Sequence, residues 1–327
     1  MKTLLVGYRA ADLLVKDRHG KLVTSPLLEE GEVTCHTLDI YHRHAIEKTL
    51  HAKAVCSAHL PEGPWDLIRF KTGPKIHSGE LALDLLQEIY RLAPEAKLWG
   101  GKGAGTQVEL DYVGREGDRN AFLDKIRKDK GRVRDFSAKW KSSVPGIDPI
   151  ELTSFPGCFC HRRPDDGGLA LAEVVSRELA GADHTVKLLD MGCGCGLVGL
   201  LIAECLRKNS PSGLSLVLVD SHSRATEAAE LNAKTLGIPA EVILSDNGTP
   251  KRMDGTFDVF VGNPPYYSDY RIADVFLETA KRALQPGGIC YTVCKNAAGL
   301  EPVQKKYFPE VEIIKRRGYA VLKSKND

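Results

Sequence analysis

Short apolar runs alternate with amphipathic stretches along the second half of the chain. Short apolar runs, which predict buried strands, are VKLLDMG, LSLVLVD, AEVILSD, TFDVFVGN and ICYTVC. Between them stand stretches of helical periodicity: LVGLLIAECLRK, SRATEAAELNAKTLG and IADVFLETAKRALQPGG. Strands that alternate with helices indicate a parallel sheet covered by helices on both faces. We therefore predict an α/β, Rossmann-like domain whose ligand site lies at the carboxyl ends of the strands.

The first half of the chain carries a weaker version of the same pattern. The runs PWDLIRFKTG and AKLWGGKGAG predict strands, and SGELALDLLQEIYRLAPEA predicts a helix that is capped by Ser78. No aligned acids follow these strands. The segment SSVPGIDPIELTSFPG holds three prolines and few charges, which is typical of a boundary. We place this boundary near Gly146, so that the predicted domains are residues 1–146 and 147–327.

Polar residues end four successive predicted strands of the second half: Asp190, Asp220, Asp246 and Asn263. Each alone could be a helix cap or a turn residue, which is the commoner role of Asp and Asn. Four of them at the edge where parallel sheets bind ligands indicate a functional site. Pro264 and Pro265 follow Asn263 and end its strand, because proline has no N–H to donate to a ladder.

The run LLDMGCGCGLVG sets glycines between a predicted strand and a predicted helix: Gly192, Gly194 and Gly196. A dinucleotide fingerprint requires a glycine where this chain has Leu197. The tighter spacing, preceded by Asp190, fits a loop whose backbone approaches a ligand without a pyrophosphate, such as S-adenosylmethionine. NAD as the ligand and a glycine turn that serves packing alone are the alternatives.

In the S-adenosylmethionine interpretation, each polar strand end has a role. Asp190 and the loop amides receive the ammonium and carboxylate groups of the ligand. Asp220 accepts hydrogen bonds from the two ribose hydroxyls, and Asp246 accepts one from the adenine amino group.

The composition, with 43% hydrophobic and 27% charged residues in 327, is that of a soluble globular protein. We expect a cytoplasmic protein, because no apolar run approaches the ~20 residues of a membrane span and no signal peptide is recognisable. The nine cysteines are odd in number, and several stand inside apolar runs. A zinc site that joins the CFCH cluster to Cys193 and Cys195 lacks the usual ligand spacing, so no metal is expected.

The net charge is only +2, so any nucleic-acid surface must be local. Two basic stretches, KIRKDKGRVRDFSAKWK and KRRGYAVLKSK, are the candidates. A solvated face is the alternative for both of them. The candidate RNA-binding residues that they supply are Lys125, Arg127, Lys128, Arg316 and Arg317.

From about Phe155 to Leu322, the chain resembles the class I S-adenosylmethionine-dependent methyltransferases. The glycine loop, the acids after the strands and the quartet Asn263-Pro264-Pro265-Tyr266 carry this resemblance. Such a quartet is a signature of enzymes that methylate a nitrogen on a planar, conjugated group. The resemblance implies that the Asn263 side-chain oxygen and the Pro264 carbonyl accept the two N–H groups of that nitrogen, and that Tyr266 stacks on the planar group.

The segment FPGCFCHRRPDDGGLALAEVV, the tail from ALQPGG to VLKS and the first half of the chain resemble one family of ribosomal RNA guanine-N2 methyltransferases. Its members are known as small-subunit methyltransferase C and large-subunit methyltransferase G. The resemblance implies two tandem Rossmann-like methyltransferase domains, of which the N-terminal one is degenerate, has lost the cofactor site and serves as an RNA clamp. The implied partner is ribosomal RNA or a ribosomal subunit.

Tyr266 stands where that family usually has Phe. Tyrosine is also what adenine-N6 and glutamine-amide methyltransferases carry at this position. An adenine-N6 methyltransferase of nucleic acid and a protein glutamine-N5 methyltransferase therefore remain the alternatives, and a non-enzymatic cofactor sensor or ribosome-assembly factor is a third.

Overall fold

The domain boundary predicted near Gly146 falls inside a β-hairpin. In the computed structural model, which describes residues 1–29, 31–94, 105–128, 133–209, 213–265 and 270–327, the chain divides into an N-terminal unit, Met1–Ser137, and a C-terminal unit, Ala138–Asp327. The segments 138–142 and 150–154 pair antiparallel, and Gly146 lies between them with a positive φ. The proline-containing segment therefore joins two strands of one unit, so the division lies before it.

The N-terminal unit contains a five-stranded parallel sheet. The strands of this unit, five in the sheet and two in a separate hairpin, are β1 (Lys2–Val6), β2 (Leu14–Lys16), β3 (Leu22–Thr24), β4 (Glu32–Thr37), β5 (Lys53–Cys56), β6 (Leu67–Thr72) and β7 (Gln107–Tyr112). Its helices are α1 (Ile40–Leu50), α2 (Gly79–Leu92) and α3 (Glu116–Lys128). The sheet order is β5-β4-β1-β6-β7, and β2 and β3 form a separate hairpin.

Two sequence predictions for this unit are confirmed by the structure. The run PWDLIRFKTG contains β6, and the predicted helix is α2. Ser78 caps that helix as expected, because its hydroxyl accepts the Leu81 N–H at 3.2 Å. The strand that AKLWGGKGAG predicts lies, except for Gly105, outside the described residues.

The C-terminal unit contains a seven-stranded sheet with the order β12-β11-β10-β13-β14-β16-β15. The strands of this unit, of which β8 and β9 form a separate hairpin, are β8 (Ala138–Ser142), β9 (Ile150–Ser154), β10 (Val186–Met191), β11 (Leu214–Asp220), β12 (Ala240–Leu244), β13 (Phe257–Gly262), β14 (Leu284–Cys294), β15 (Glu312–Arg316) and β16 (Tyr319–Lys325). Its helices are α4 (Asp166–Glu178), α5 (Leu197–Asn209), α6 (Ser223–Leu236), α7 (Arg271–Ala283) and α8 (Ala297–Lys305). The strands β10 to β14 are parallel, and β16 runs antiparallel to β14 and β15.

Both faces of this sheet are buried, as its continuous apolar strands predict. Neighbouring residues of one strand point to opposite faces. Leu188 therefore packs in one core cluster with Leu171 and Leu201 of α4 and α5, whereas Leu189 packs in a second cluster with Leu277 of α7. None of the helices in the described segments is long and apolar enough to cross a membrane.

Helix α4 is tied to the β15–β16 hairpin by a buried carboxylate. The Glu173 side chain is only 4% exposed and accepts hydrogen bonds from the guanidinium groups of Arg316 and Arg317, the second at 2.9 Å. The hydrogen bond from Arg316 holds the pKa of Glu173 below its usual value of 4.5. Lys323 and the Tyr291 hydroxyl donate to Glu178, at the end of the same helix.

Replacing Glu173 should measurably destabilise the C-terminal unit. We expect Glu173→Gln to lower the free energy of unfolding by about 1 kcal/mol, because hydrogen bonds to charged groups are lost from a buried site while the half-exposed arginines regain water. A depressed folded-state pKa stabilises the fold above pH 4.5, and this contribution disappears as the pH falls through the folded-state pKa. Denaturant unfolding at pH 7 and in a series below 4.5 measures both effects.

The matched control is Glu301→Gln, which removes a carboxylate from the surface pair with Lys305 on α8. An exposed pair of this kind contributes about 0.5 kcal/mol or less. Equal destabilisation by the two variants, or a Glu173→Gln effect that persists unchanged at low pH, would contradict the role given to Glu173.

Candidate functional site

The glycine loop lies between β10 and α5, and all three of its predicted glycines have positive φ values. These are +71° at Gly192, +56° at Gly194 and +87° at Gly196, a region that glycine enters without steric cost. A Cβ at Gly192 would lie 2.7 Å from the Phe276 ring. A Cβ at Gly194 would meet no heavy atom of the described residues within 4 Å. The loop therefore packs tightly at its start and borders open space at Gly194.

Asp190 lies next to this loop but is buried, with 2% of its surface exposed. Its Oδ2 accepts the N–H of Gly199, in the first turn of α5, at 2.9 Å. Burial raises the pKa of Asp190 to about 7. This hydrogen bond thus connects the end of β10 to the start of α5.

Asp220 is the last residue of β11, and its carboxylate holds the glycine loop. One oxygen accepts the Gly194 N–H and the other accepts the His222 N–H, both at 2.9 Å. A carboxylate can accept about four hydrogen bonds in all. The half-buried Asp220 thereby supports the loop at Gly194. A carboxylate is also a suitable acceptor for hydrogen bonds from ligand hydroxyls.

Asp246 follows β12 by two residues and is half-buried. The preceding N–H, that of Ser245, donates to the carbonyl of Asp220 at 2.9 Å. This bond keeps the segment after β12 next to the end of β11. The structure therefore brings Asp220 and Asp246 to neighbouring positions at the carboxyl edge of the sheet.

Asn263 follows β13 directly, and its side chain is held by a residue that the sequence analysis did not select. The Asn263 Nδ2 donates to Oδ2 of Asp165 at 2.7 Å. Asp165 is the N-cap of α4 and also accepts the Gly168 N–H at 2.6 Å. Its sequence signal, an Asp before an apolar helix in PDDGG, predicts only a cap. Pro264 is buried and Pro265 half-buried, whereas Tyr266 lies outside the described residues.

The candidate RNA-binding residues have different surroundings. Lys125 is exposed on α3. Arg127 and Lys128 belong to the last turn of that helix, and their side chains lie outside the described part of the structure. Arg316 and Arg317 both bind Glu173, so they join α4 to the hairpin whatever else they contact.

The nine cysteines, all within the described residues, form no disulfide bonds. Cys193 and Cys195 are buried in the glycine loop, where burial raises the pKa of Cys195 to about 12. A thiol that resists deprotonation is a poor metal ligand. Within the ranges that the structure describes, no group of three or more His, Cys, Asp or Glu residues could hold a metal ion.

Comparison with known proteins finds similarity to methyltransferases. The family model described as "Methyltransferase small domain" matches residues 149–323. The ribosomal RNA small subunit methyltransferase C of Haemophilus influenzae (strain 86-028NP) is 28% identical over 193 residues, which are 57% of this chain and 55% of that protein. The protein of the same name from Hahella chejuensis is 32% identical over 163 residues, 49% of this chain and 44% of that one. The chain thus spans about half the length of the curated relatives it matches.

The whole chain also resembles a solved structure. The T. thermophilus 16S rRNA N2 G1207 methyltransferase, solved in complex with AdoMet and guanosine, matches 100% of this chain and 88% of its own, with a TM-score of 0.75 and 16% identity. At that identity the likeness concerns the fold, and it confirms the predicted α/β methyltransferase fold with its Rossmann-like parallel sheet.

The family model covers more than half of the chain and includes the glycine loop, the acids after the strands and Asn263. The relatives carry the family name that the sequence resemblance predicts. The chain therefore belongs to the methyltransferase small domain family.

Proposed function

We propose that the protein is an S-adenosylmethionine-dependent N-methyltransferase that modifies guanine N2 in ribosomal RNA. The observation that carries the proposal is the pairing of β10 with β13, which aligns Met191 with Gly262. The next residue of each strand is Gly192 of the loop and Asn263 of the quartet. Neighbouring strands lie ~4.8 Å apart, so the loop and the amide stand side by side at one sheet edge.

The cofactor half of the site is assigned to the loop and the acids after the strands. The open backbone at Gly194 suits the amino-acid end of S-adenosylmethionine, Asp220 its ribose hydroxyls and Asp246 its adenine amino group. Because Asp190 is buried against α5, its proposed contribution to ligand binding passes through the loop that it supports. The bound cofactor supplies an electrophilic methyl group on a sulfonium.

The catalytic half is assigned to the quartet. The lone pair of an aromatic amino nitrogen is delocalised, so this nitrogen is a weak nucleophile. The Asn263 Oδ1 and the Pro264 carbonyl accept hydrogen bonds from the two N–H groups of this nitrogen. These bonds favour a pyramidal nitrogen and aim its lone pair at the methyl carbon. Pro265 stiffens the turn, and Tyr266 stacks on the base, a contact of about 1–3 kcal/mol. This is catalysis by positioning and electrostatics, without a covalent intermediate on the protein.

The names of similar proteins support the choice of substrate. The curated relatives are named for ribosomal RNA, and the matched solved structure is that of an N2-directed enzyme with guanosine bound. Ribosomal RNA, free or in a subunit, is therefore the proposed partner, and a target base held in a helix would have to be flipped out. Because the proposed substrate is ribosomal RNA, we propose that the protein acts in the cytoplasm.

We further propose that the N-terminal unit is a degenerate copy of the methyltransferase domain. Both units have parallel strands in the spatial order third, second, first, fourth, fifth, namely β5-β4-β1-β6-β7 and β12-β11-β10-β13-β14. After β1, at the position of the glycine loop, a Cβ at Gly7 would lie 2.3 Å from the Lys71 carbonyl oxygen. The ring of Tyr8 is buried, and its hydroxyl donates to Asp111 at 3.3 Å. Protein groups thus occupy the position that would receive a cofactor, which argues against a cofactor site in this unit. We assign the unit a role in RNA binding instead.

Incubation with labelled S-adenosylmethionine and unmodified ribosomal subunits, followed by nucleoside mass spectrometry, tests the proposed reaction. We expect N2-methylguanosine with the wild type and at least a 100-fold slower rate with Asn263→Ala, because one substrate acceptor is lost. The Kd for S-adenosylmethionine should change little. The control Asn209→Ala removes an exposed amide from the end of α5 and should leave the rate unchanged.

The product identifies the substrate class. N6-methyladenosine, methylation of a protein glutamine, or no methylated product would each overturn the guanine assignment. An unaltered rate in Asn263→Ala would remove the amide from the mechanism.

Calorimetry tests the cofactor role of Asp220. Asp220→Ala should weaken S-adenosylmethionine binding by roughly 10- to 100-fold, since hydrogen bonds from two hydroxyls to a charged acceptor are lost. The control Asp258→Ala removes a carboxylate that binds the Lys187 N–H near the opposite end of the same sheet. Native affinity in Asp220→Ala would exclude the ribose contact.

The salt dependence of RNA binding tests the proposed clamp. Neutralising Lys125, Arg127 and Lys128 to Gln should reduce the slope of log K against log salt by about 2 to 3, because each phosphate contact contributes about 0.7–0.9. Neutralising three other exposed lysines of the same unit, Lys16, Lys21 and Lys48, is the matched control. Identical slopes for the two triple variants would contradict a clamp at the end of α3.

A further inference from the structure

We infer that Asp165 is a positioning residue that fixes the orientation of the Asn263 amide for methyl transfer. The inference rests on the proposed function, in which Asn263 Oδ1 accepts an N–H of the substrate. Asp165 and Asn263 are 98 residues apart in sequence and meet through a short hydrogen bond of 2.7 Å. This bond joins the start of α4 to the end of β13.

The chemistry of this contact decides which way the amide faces. The oxygen and nitrogen of an asparagine side chain have nearly the same shape, so packing alone does not distinguish its two orientations. A carboxylate only accepts hydrogen bonds. Asp165 therefore binds the Nδ2 group and repels the oxygen, and the Asn263 Oδ1 is directed away from Asp165.

The hydrogen bond also changes the strength of the acceptor. A bond from an amide N–H to a carboxylate is charge-assisted and is roughly twice as strong as a neutral one. Hydrogen bonds in a chain polarise one another, so a donor bond on the nitrogen side raises the electron density on the oxygen side. Asp165 would thus both orient the Asn263 Oδ1 and make it a better acceptor.

Asp165 is held rigidly enough for this role. The same Oδ2 atom accepts the Gly168 N–H at 2.6 Å, which anchors the carboxylate in the first turn of α4. That turn is packed closely: a Cβ at Gly168 would lie 3.2 Å from Val198, and one at Gly167 would lie 3.2 Å from the Tyr319 ring. Further along the helix, Glu173 binds the β15–β16 hairpin. A movement of α4 is therefore opposed at two places.

Asp165→Ser separates the positioning role from the capping role. Serine caps helices about as well as aspartate, so α4 should keep its start. Its side chain is too short to reach Asn263. We expect kcat for RNA methylation to fall roughly 10- to 100-fold, because displaced catalytic groups cost rates of this size. The Kd for S-adenosylmethionine and the melting temperature should stay close to the wild-type values.

Two comparison variants make the result specific. Asp166→Ser makes the same change at the adjacent, exposed acid in the first turn of α4 and should keep a near-native kcat. Asp165→Asn retains an acceptor oxygen but loses the charge and permits both amide orientations of Asn263, so it should restore part of the rate. In an Asn263→Ala background, Asp165→Ser should cause no further loss, since residues that act through one another are not additive.

The Asn263 side-chain NH₂ resonances give a readout that does not depend on activity. They are assigned by their loss in Asn263→Ala and should shift in Asp165→Ser but not in Asp166→Ser. A native kcat in Asp165→Ser, or an equal loss in Asp166→Ser, would overturn the positioning role. If the wild type methylates no RNA while the resonances shift as expected, the contact stands and the proposed function is wrong.

Discussion

The parallel pairing of β10 with β13 is the constraint on which the site depends. Because Met191 stands opposite Gly262, the glycine loop and Asn263 leave the sheet at the same level. A shift of one residue would turn every side chain of β13 to the other face of the sheet, and both faces are filled by core clusters. The hydrophobic core on both faces therefore fixes the relative position of the two halves of the candidate site through the register of these strands.

Helix α4 connects this edge of the sheet with the far end of the chain. Its cap, Asp165, binds Asn263, and its buried Glu173 binds Arg316 and Arg317. The two acids stand two turns apart on one helix, so the antiparallel hairpin that ends the sheet and the amide that ends β13 share one rigid support. Arg316 and Arg317, which are candidate RNA-binding residues, thus have a structural function in this unit.

Local pattern was enough to predict most of the C-terminal unit, because continuous apolar strands and periodic helices depend on nearby residues. Ser78 could be predicted as a cap for the same reason. The contacts that were missed are distant in sequence: Asp165 with Asn263, and Glu173 with Arg316, whose partners are 143 residues apart. The predicted boundary near Gly146 differs from the division between Ser137 and Ala138 because prolines mark hairpin connections as well as linkers, and only strand pairing distinguishes the two.

The two thiols in the glycine loop have a consequence for oxidative stress. Oxidants and alkylating agents attack the thiolate form of cysteine. Burial raises the pKa of Cys195 to about 12 and also raises the pKa of Cys193 well above its usual range. At neutral pH, almost none of either sulfur carries the negative charge that such reagents need. The loop can therefore carry two buried sulfur atoms at the candidate site without becoming a redox switch.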